Sequence, residues 1–136
     1  MPQVAHRMLE SHPRQPWTES SRLAETIAEL YSCAQSCTAC ADACLGEEGV
    51  GQMVRCIRIC QDCADICETT GRILSRQTEP DSRLLSAQLQ ACIAACRVCA
   101  TVCGRHAEHM DHCAVCAAQC RACEAACEDM VTALAA

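Results

Sequence analysis

Four segments of this chain carry the same cysteine spacing, C-x3-C-x2-C-x3-C, and that spacing narrows the possible folds more than any other feature. It occurs at Cys33, Cys37, Cys40 and Cys44, and again at Cys56, Cys60, Cys63 and Cys67. It recurs at Cys92, Cys96, Cys99 and Cys103, and at Cys116, Cys120, Cys123 and Cys127, with Cys113 three residues ahead of the last set. These positions account for all 17 cysteines. A series i, i+4, i+7, i+11 falls on one face of an α-helix, whereas a strand would scatter it over both faces. At about 1.5 Å rise per residue, each set makes a stripe roughly 16 Å long.

The residues between the cysteines favour helix: Ala dominates, with Gln, Arg, Glu and Asp elsewhere. No Pro or Gly interrupts a stripe; the breakers lie between them, at Gly46, Gly49 and Gly51, at Gly71 and Pro80, and at Gly104. Thr78 followed by Asp81 reads as a helix start, with Pro80 acceptable in the first turn. The pattern predicts helices over 20–45, 52–76, 80–103 and 106–134. Short connections make neighbours antiparallel, so the predicted fold is all-α, an up-down antiparallel four-helix bundle with a cysteine-lined core. The 136 residues form one domain on length, with the bundle at 20–136 and a tail or short helix at 1–19. His6 and His12 fall in that leading segment and are given no ligand role.

Composition agrees that sulfur fills the interior. Leu, Ile and Val together number 22, Phe is absent, and Trp17 and Tyr31 are the only aromatics. That is too little bulk for an ordinary aliphatic core, which leaves Ala and Cys to fill it. A single buried Cys is commonly just a small hydrophobe. A complete fourfold repeat is not explained that way, because Ala, Val or Leu would pack as well without the redox liability.

Charge and hydropathy exclude several classes. The net charge is −6, the basic residues are all Arg, and none form a dense run, so nucleic acid is not an expected partner and a DNA-binding regulator is disfavoured. No apolar stretch is read as reaching the roughly 20 residues that cross a bilayer, and the first 17 residues lack the apolar core of a secretory signal. The expected location is cytoplasmic, where thiols stay reduced and dense cysteines signify metal binding or catalysis rather than disulfides. An odd cysteine count also argues against full pairing. No nucleophile–base pair, phosphate loop or carboxylate dyad is recognisable, so the reading is a binding protein and not an enzyme.

Side chains at i and i+3 or i+4 stand about 5–6 Å apart at Cβ. Two metal–sulfur bonds of about 2.3 Å span up to about 4.6 Å, so adjacent stripe cysteines can clamp one ion. Charge selects among metals: buried thiolates need compensation, and a soft monovalent ion at about one per thiolate leaves the core near neutral. Cu(I) is therefore favoured over zinc, which prefers discrete tetrahedral sites, and over iron–sulfur clusters, whose ferredoxin run is absent. A zinc or general soft-metal buffer of metallothionein type is the alternative, and a redox thiol protein would need a cysteine set apart from the rest.

The bundle ends differ. Antiparallel packing gathers Cys44, Cys103, Cys56 and Cys113 at one end, where Met53, His106, His109, His112 and Met110 also fall. This is the expected mouth, with exchangeable imidazole and thioether ligands handing ions to stronger thiolates inside. The other end collects Leu30, Leu74, Leu85, Leu89, Met130, Val131 and Leu134, an apolar plug.

Four such helices, with the segment HAEHMDHC ahead of the fourth, resemble the cytosolic copper storage proteins of bacteria over about 20–134. The resemblance implies many Cu(I) ions held along the bundle axis, with all 16 stripe cysteines and Cys113 as ligands and loading through the His-lined end. It also implies a homotetramer of bundles. Copper chaperones or small-molecule thiols are the expected donors.

Overall fold

The computed structural model describes residues 3–136. Five α-helices follow one another: α1 (Gln3–Ser11), α2 (Ser20–Leu45), α3 (Val54–Leu74), α4 (Ser82–Gly104) and α5 (Asp111–Ala135), with one 3-10 turn at Val50–Gln52. No strand occurs among the described residues. Helices α2 to α5 form a ring in which α2 packs beside α3 and α5, and α4 beside the same two. Each short connection reverses the chain, so ring neighbours are antiparallel and α2 faces α4 across the core.

Each long helix buries its cysteine stripe, and most of the remaining buried positions are Ala, Leu or Ile. The narrow sulfur side chains let the diagonal pair approach, so that Cys37 on α2 and Cys99 on α4 stand 3.8 Å apart at Sγ. Helices α2 and α3 also come close at Gly71. A β-carbon there would lie 3.0 Å from Cε2 of Tyr31, whose ring occupies that space.

Beyond the last thiols the core turns aliphatic. Leu23, Leu30, Leu74, Leu89 and Met130 are fully buried or nearly so, with Val131 and Leu134 packed at the margin, which is the apolar end expected from the helix registers. Helix α1 lies against α2 and contributes Leu9 to this core.

The helix limits differ from the sequence reading at three places. Helix α3 spans Val54–Leu74, shorter than the expected 52–76, because Val50–Gln52 forms a separate turn. At α4, Asp81 is itself the N-cap: its side chain accepts from the backbone N–H groups of Arg83 and Leu84, so Pro80 stands outside the helix and not in its first turn. Helix α5 begins at Asp111, five residues later than expected, because the His106 carbonyl accepts from both His109 and Met110 in a turn. A fourth correction concerns hydropathy: α4 is long and apolar enough, by length and composition, to cross a membrane. Its apolar face, with Leu85, Leu89 and four cysteines, is taken up by the other helices.

Candidate metal centre

All 17 cysteines are free and buried. Their sulfurs form a continuous network along the bundle axis. From the mouth, Cys44 lies 3.9 Å from Cys56, Cys56 3.7 Å from Cys103, and Cys103 3.5 Å from Cys60. Cys60 reaches Cys99 at 3.8 Å, Cys99 reaches Cys37 at 3.8 Å, and Cys37 and Cys33 meet Cys120 at 3.7 and 3.8 Å. Deeper, Cys63 meets Cys67 at 3.8 Å, Cys67 meets Cys92 at 3.7 Å, and Cys92 meets Cys127 at 3.8 Å.

These spacings suit thiolate-bound metal. With bonds of about 2.3 Å, sulfurs stand about 4.6 Å apart around a linear ion, about 4.0 Å around a trigonal one and about 3.8 Å around a tetrahedral one. Groups whose ligand atoms all lie within 4.8 Å include Cys33, Cys37, Cys63 and Cys120; Cys37, Cys99, Cys116 and Cys120; and Cys40, Cys60, Cys103 and Cys116. The groups overlap: Cys37, Cys116 and Cys120 each serve more than one. Sulfur is the atom that can bridge, so shared corners allow more ions than a set of separate four-sulfur cages. No Arg, Asp, Glu or His is buried among the described residues, so nothing in the core neutralises a thiolate except a bound ion.

The mouth adds a nitrogen. His112 Nδ1 lies 3.4 Å from Cys40 Sγ and 3.6 Å from Cys113 Sγ, and these residues with Cys44 form a further group within 4.8 Å. The other ring nitrogen, Nε2, is 2.9 Å from a carboxylate oxygen of Glu47. Glu47 is the one residue here that sequence reasoning did not single out. It follows Cys44 by three positions, which was enough to place it at this end. At the same rim, burial pushes the Cys44 thiol up to about 12, helped by the neighbouring Cys56 and Cys113. Burial raises Cys113 as well, with Cys56 adding to it. Both thiols at this outer edge therefore favour the protonated form, and a metal must displace those protons to bind.

The remaining mouth candidates separate by position. Met53 is buried beneath the α2–α3 connection, and Met110 packs against the core as the residue preceding α5. His106 is half-buried and His109 exposed, both in the turn before α5. Among the described residues, neither of these two imidazoles makes a side-chain hydrogen bond to a thiol. The structure brings His112 to the sulfurs and leaves His106 and His109 about the rim.

Fold and site together define a four-helix bundle built around an unbroken column of thiols. The chain belongs to the copper storage protein family, whose model matches residues 19–132. Among solved structures, it is similar to the copper storage protein Ccsp from Streptomyces lividans loaded with 10 copper equivalents, at 42% identity and a TM-score of 0.92, over 95% of this chain and 98% of that one. A cytosolic copper storage protein from Streptomyces lividans with five coppers matches at 47% identity and a TM-score of 0.81, over 82% of this chain and 93% of that one. A histidine-to-alanine variant of Streptomyces lividans Ccsp matches at 46% identity and a TM-score of 0.84, over 86% of this chain and 98% of that one. No curated protein matches the chain.

Proposed function

We propose that this protein stores Cu(I) in the cytoplasm, at about one ion per cysteine, along the thiol column of its bundle. The observation that carries this reading is the overlap of the sulfur groups in a core with no buried charged side chain. Zinc at four thiolates per ion would leave each cage with two uncompensated negative charges in that core, whereas Cu(I) with bridging thiolates leaves it near neutral.

In this reading the ligands are Cys33, Cys37, Cys40, Cys44, Cys56, Cys60, Cys63, Cys67, Cys92, Cys96, Cys99, Cys103, Cys113, Cys116, Cys120, Cys123 and Cys127. His112 is the nitrogen ligand at the mouth, and His106, His109, Met53 and Met110 are exchangeable partners that hand copper inward. The thiolate is the ligand form, so each ion bound at a protonated cysteine releases about one proton. Copper chaperones or small-molecule thiols are the proposed donors, the proposed assembly is a homotetramer, and the role is binding without turnover.

The test is an anaerobic Cu(I) titration of the fully reduced protein against a competing chelator, with thiols counted in parallel. Saturation near one ion per cysteine is expected. Saturation at one to four ions would sink the storage reading, and a zinc capacity that survives the same chelator competition would favour the soft-metal buffer.

A further inference from the structure

Resting on the mouth reading, we infer that Glu47 is a positioning residue that presets His112 as an Nδ1 ligand before any metal arrives. A neutral imidazole carries one N–H and one lone pair, and the hydrogen bond at one nitrogen decides what the other can do. His112 Nε2 lies 2.9 Å from the Glu47 carboxylate, an acceptor, so the ring proton sits on Nε2 and is donated to Glu47. The lone pair is thereby left on Nδ1, which faces Cys40 Sγ at 3.4 Å and Cys113 Sγ at 3.6 Å. Metal-bound histidines are commonly oriented by such a carboxylate on the nitrogen that does not bind the metal.

The backbone holds Glu47 where this requires. Gly46 ends α2 with its N–H donated to the carbonyls of Asp42 and Ala43, and the Glu47 N–H donates to the Cys44 carbonyl. The carboxylate is thus tethered to the same helix end that carries Cys44 and Cys40, while His112 opens α5 beside Cys113. The pair joins two elements 65 positions apart, with side chains only 36% and 25% exposed. It therefore fixes the loop after α2 against the start of α5, across the group formed by Cys40, Cys44, His112 and Cys113.

The experiment uses the full-length, reduced, copper-free protein and Cu(I) itself as the probe. Ring-nitrogen NMR of His112 reports the tautomer, and chelator competition reports affinity for the first equivalent. Wild type is expected to show the Nε2–H form. Glu47→Ala should mix the tautomers and weaken first-ion affinity by about 10–100-fold, with total capacity unchanged. Glu47→Gln keeps a side-chain acceptor and should restore most of both. A His112 tautomer that stays Nε2–H in Glu47→Ala overturns the assignment, whatever happens to affinity, since Glu47 would then act only as a charge. First-ion affinity within twofold of wild type in Glu47→Ala overturns it equally. His112→Ala separates the two levels: if it binds the first ion as wild type does, the mouth reading itself fails and this inference falls with it.

Discussion

Cys44 and Cys113 are the outermost thiols of the column, yet both are fully buried and held protonated, Cys44 up to about 12. In the unfolded chain a cysteine ionises near about 8.5. A group whose pKa is raised on folding favours the folded state fully below its unfolded value and loses that advantage as pH rises towards its folded value. The contribution of these two thiols to the stability of the copper-free protein should therefore be level below about pH 8.5 and fall above it. Urea midpoints of the reduced protein between pH 7 and 10 would check this, and a midpoint that rises across that range would contradict the burial argument. Copper loading should reverse the trend, because the bound form needs thiolate. The cysteines were legible in the sequence because helical spacing and burial coincide at each of them. The three mouth histidines were not separable, since His112 lies one residue from Cys113 on a helix while His106 and His109 lie in a turn that periodicity does not describe. Helix spacing places Glu47 at the same end, but its pairing with His112 was not legible, because a contact between the connection after α2 and the start of α5 leaves no local pattern.

At the scale of the helix, the limits of α2 followed from the sequence to the residue, and those of α3 to α5 were displaced by turn and cap chemistry. Asp81 took the capping role expected of Thr78, and the run of inward positions ahead of Cys113 continued a helical register through a segment that turns instead. Helices α2 and α3 also meet through a detail with no spacing signature, the seating of Tyr31 against Gly71. A glycine inside a helix normally costs about 1 kcal/mol relative to Ala, so its presence calls for a packing reason. Here the reason is the ring, which would stand 3.0 and 3.1 Å from an added β-carbon. Gly71→Val should destabilise the protein by about 1–3 kcal/mol through overpacking against the ring, which outweighs the small gain in helix propensity. In a Tyr31→Ala background that cost should fall by at least half, measured as a double-mutant cycle in urea. Equal costs in both backgrounds would show that a contact other than the ring makes Gly71 necessary, since helix propensity by itself favours the replacement.

Across the whole molecule, the same four helices build a thioether- and imidazole-rimmed end and an aliphatic end, and this asymmetry makes the loading route separable from stability. The plug contains no thiol and no buried ligand nitrogen among the described residues, while Leu30, Leu74, Leu89 and Met130 close it completely. Copper that exchanges between ligands has a path only where ligands reach the surface, which is at the histidine segment above the buried Cys113. A variant carrying Cys113→Ser with His106→Ala, His109→Ala and His112→Ala should therefore take up Cu(I) much more slowly than wild type, while losing only the few ions held at that end. Leu89→Ala should do the reverse: it should cost about 2–5 kcal/mol of copper-free stability by opening a cavity, and leave the loading rate unchanged. Stopped-flow loading from a Cu(I)–chelator donor, paired with urea denaturation of each variant, measures both quantities. If the mouth variant loads as fast as wild type, copper does not pass through that end, and the asymmetry of the bundle serves stability alone. If Leu89→Ala accelerates loading, the aliphatic end is a second gate that the leucines hold shut.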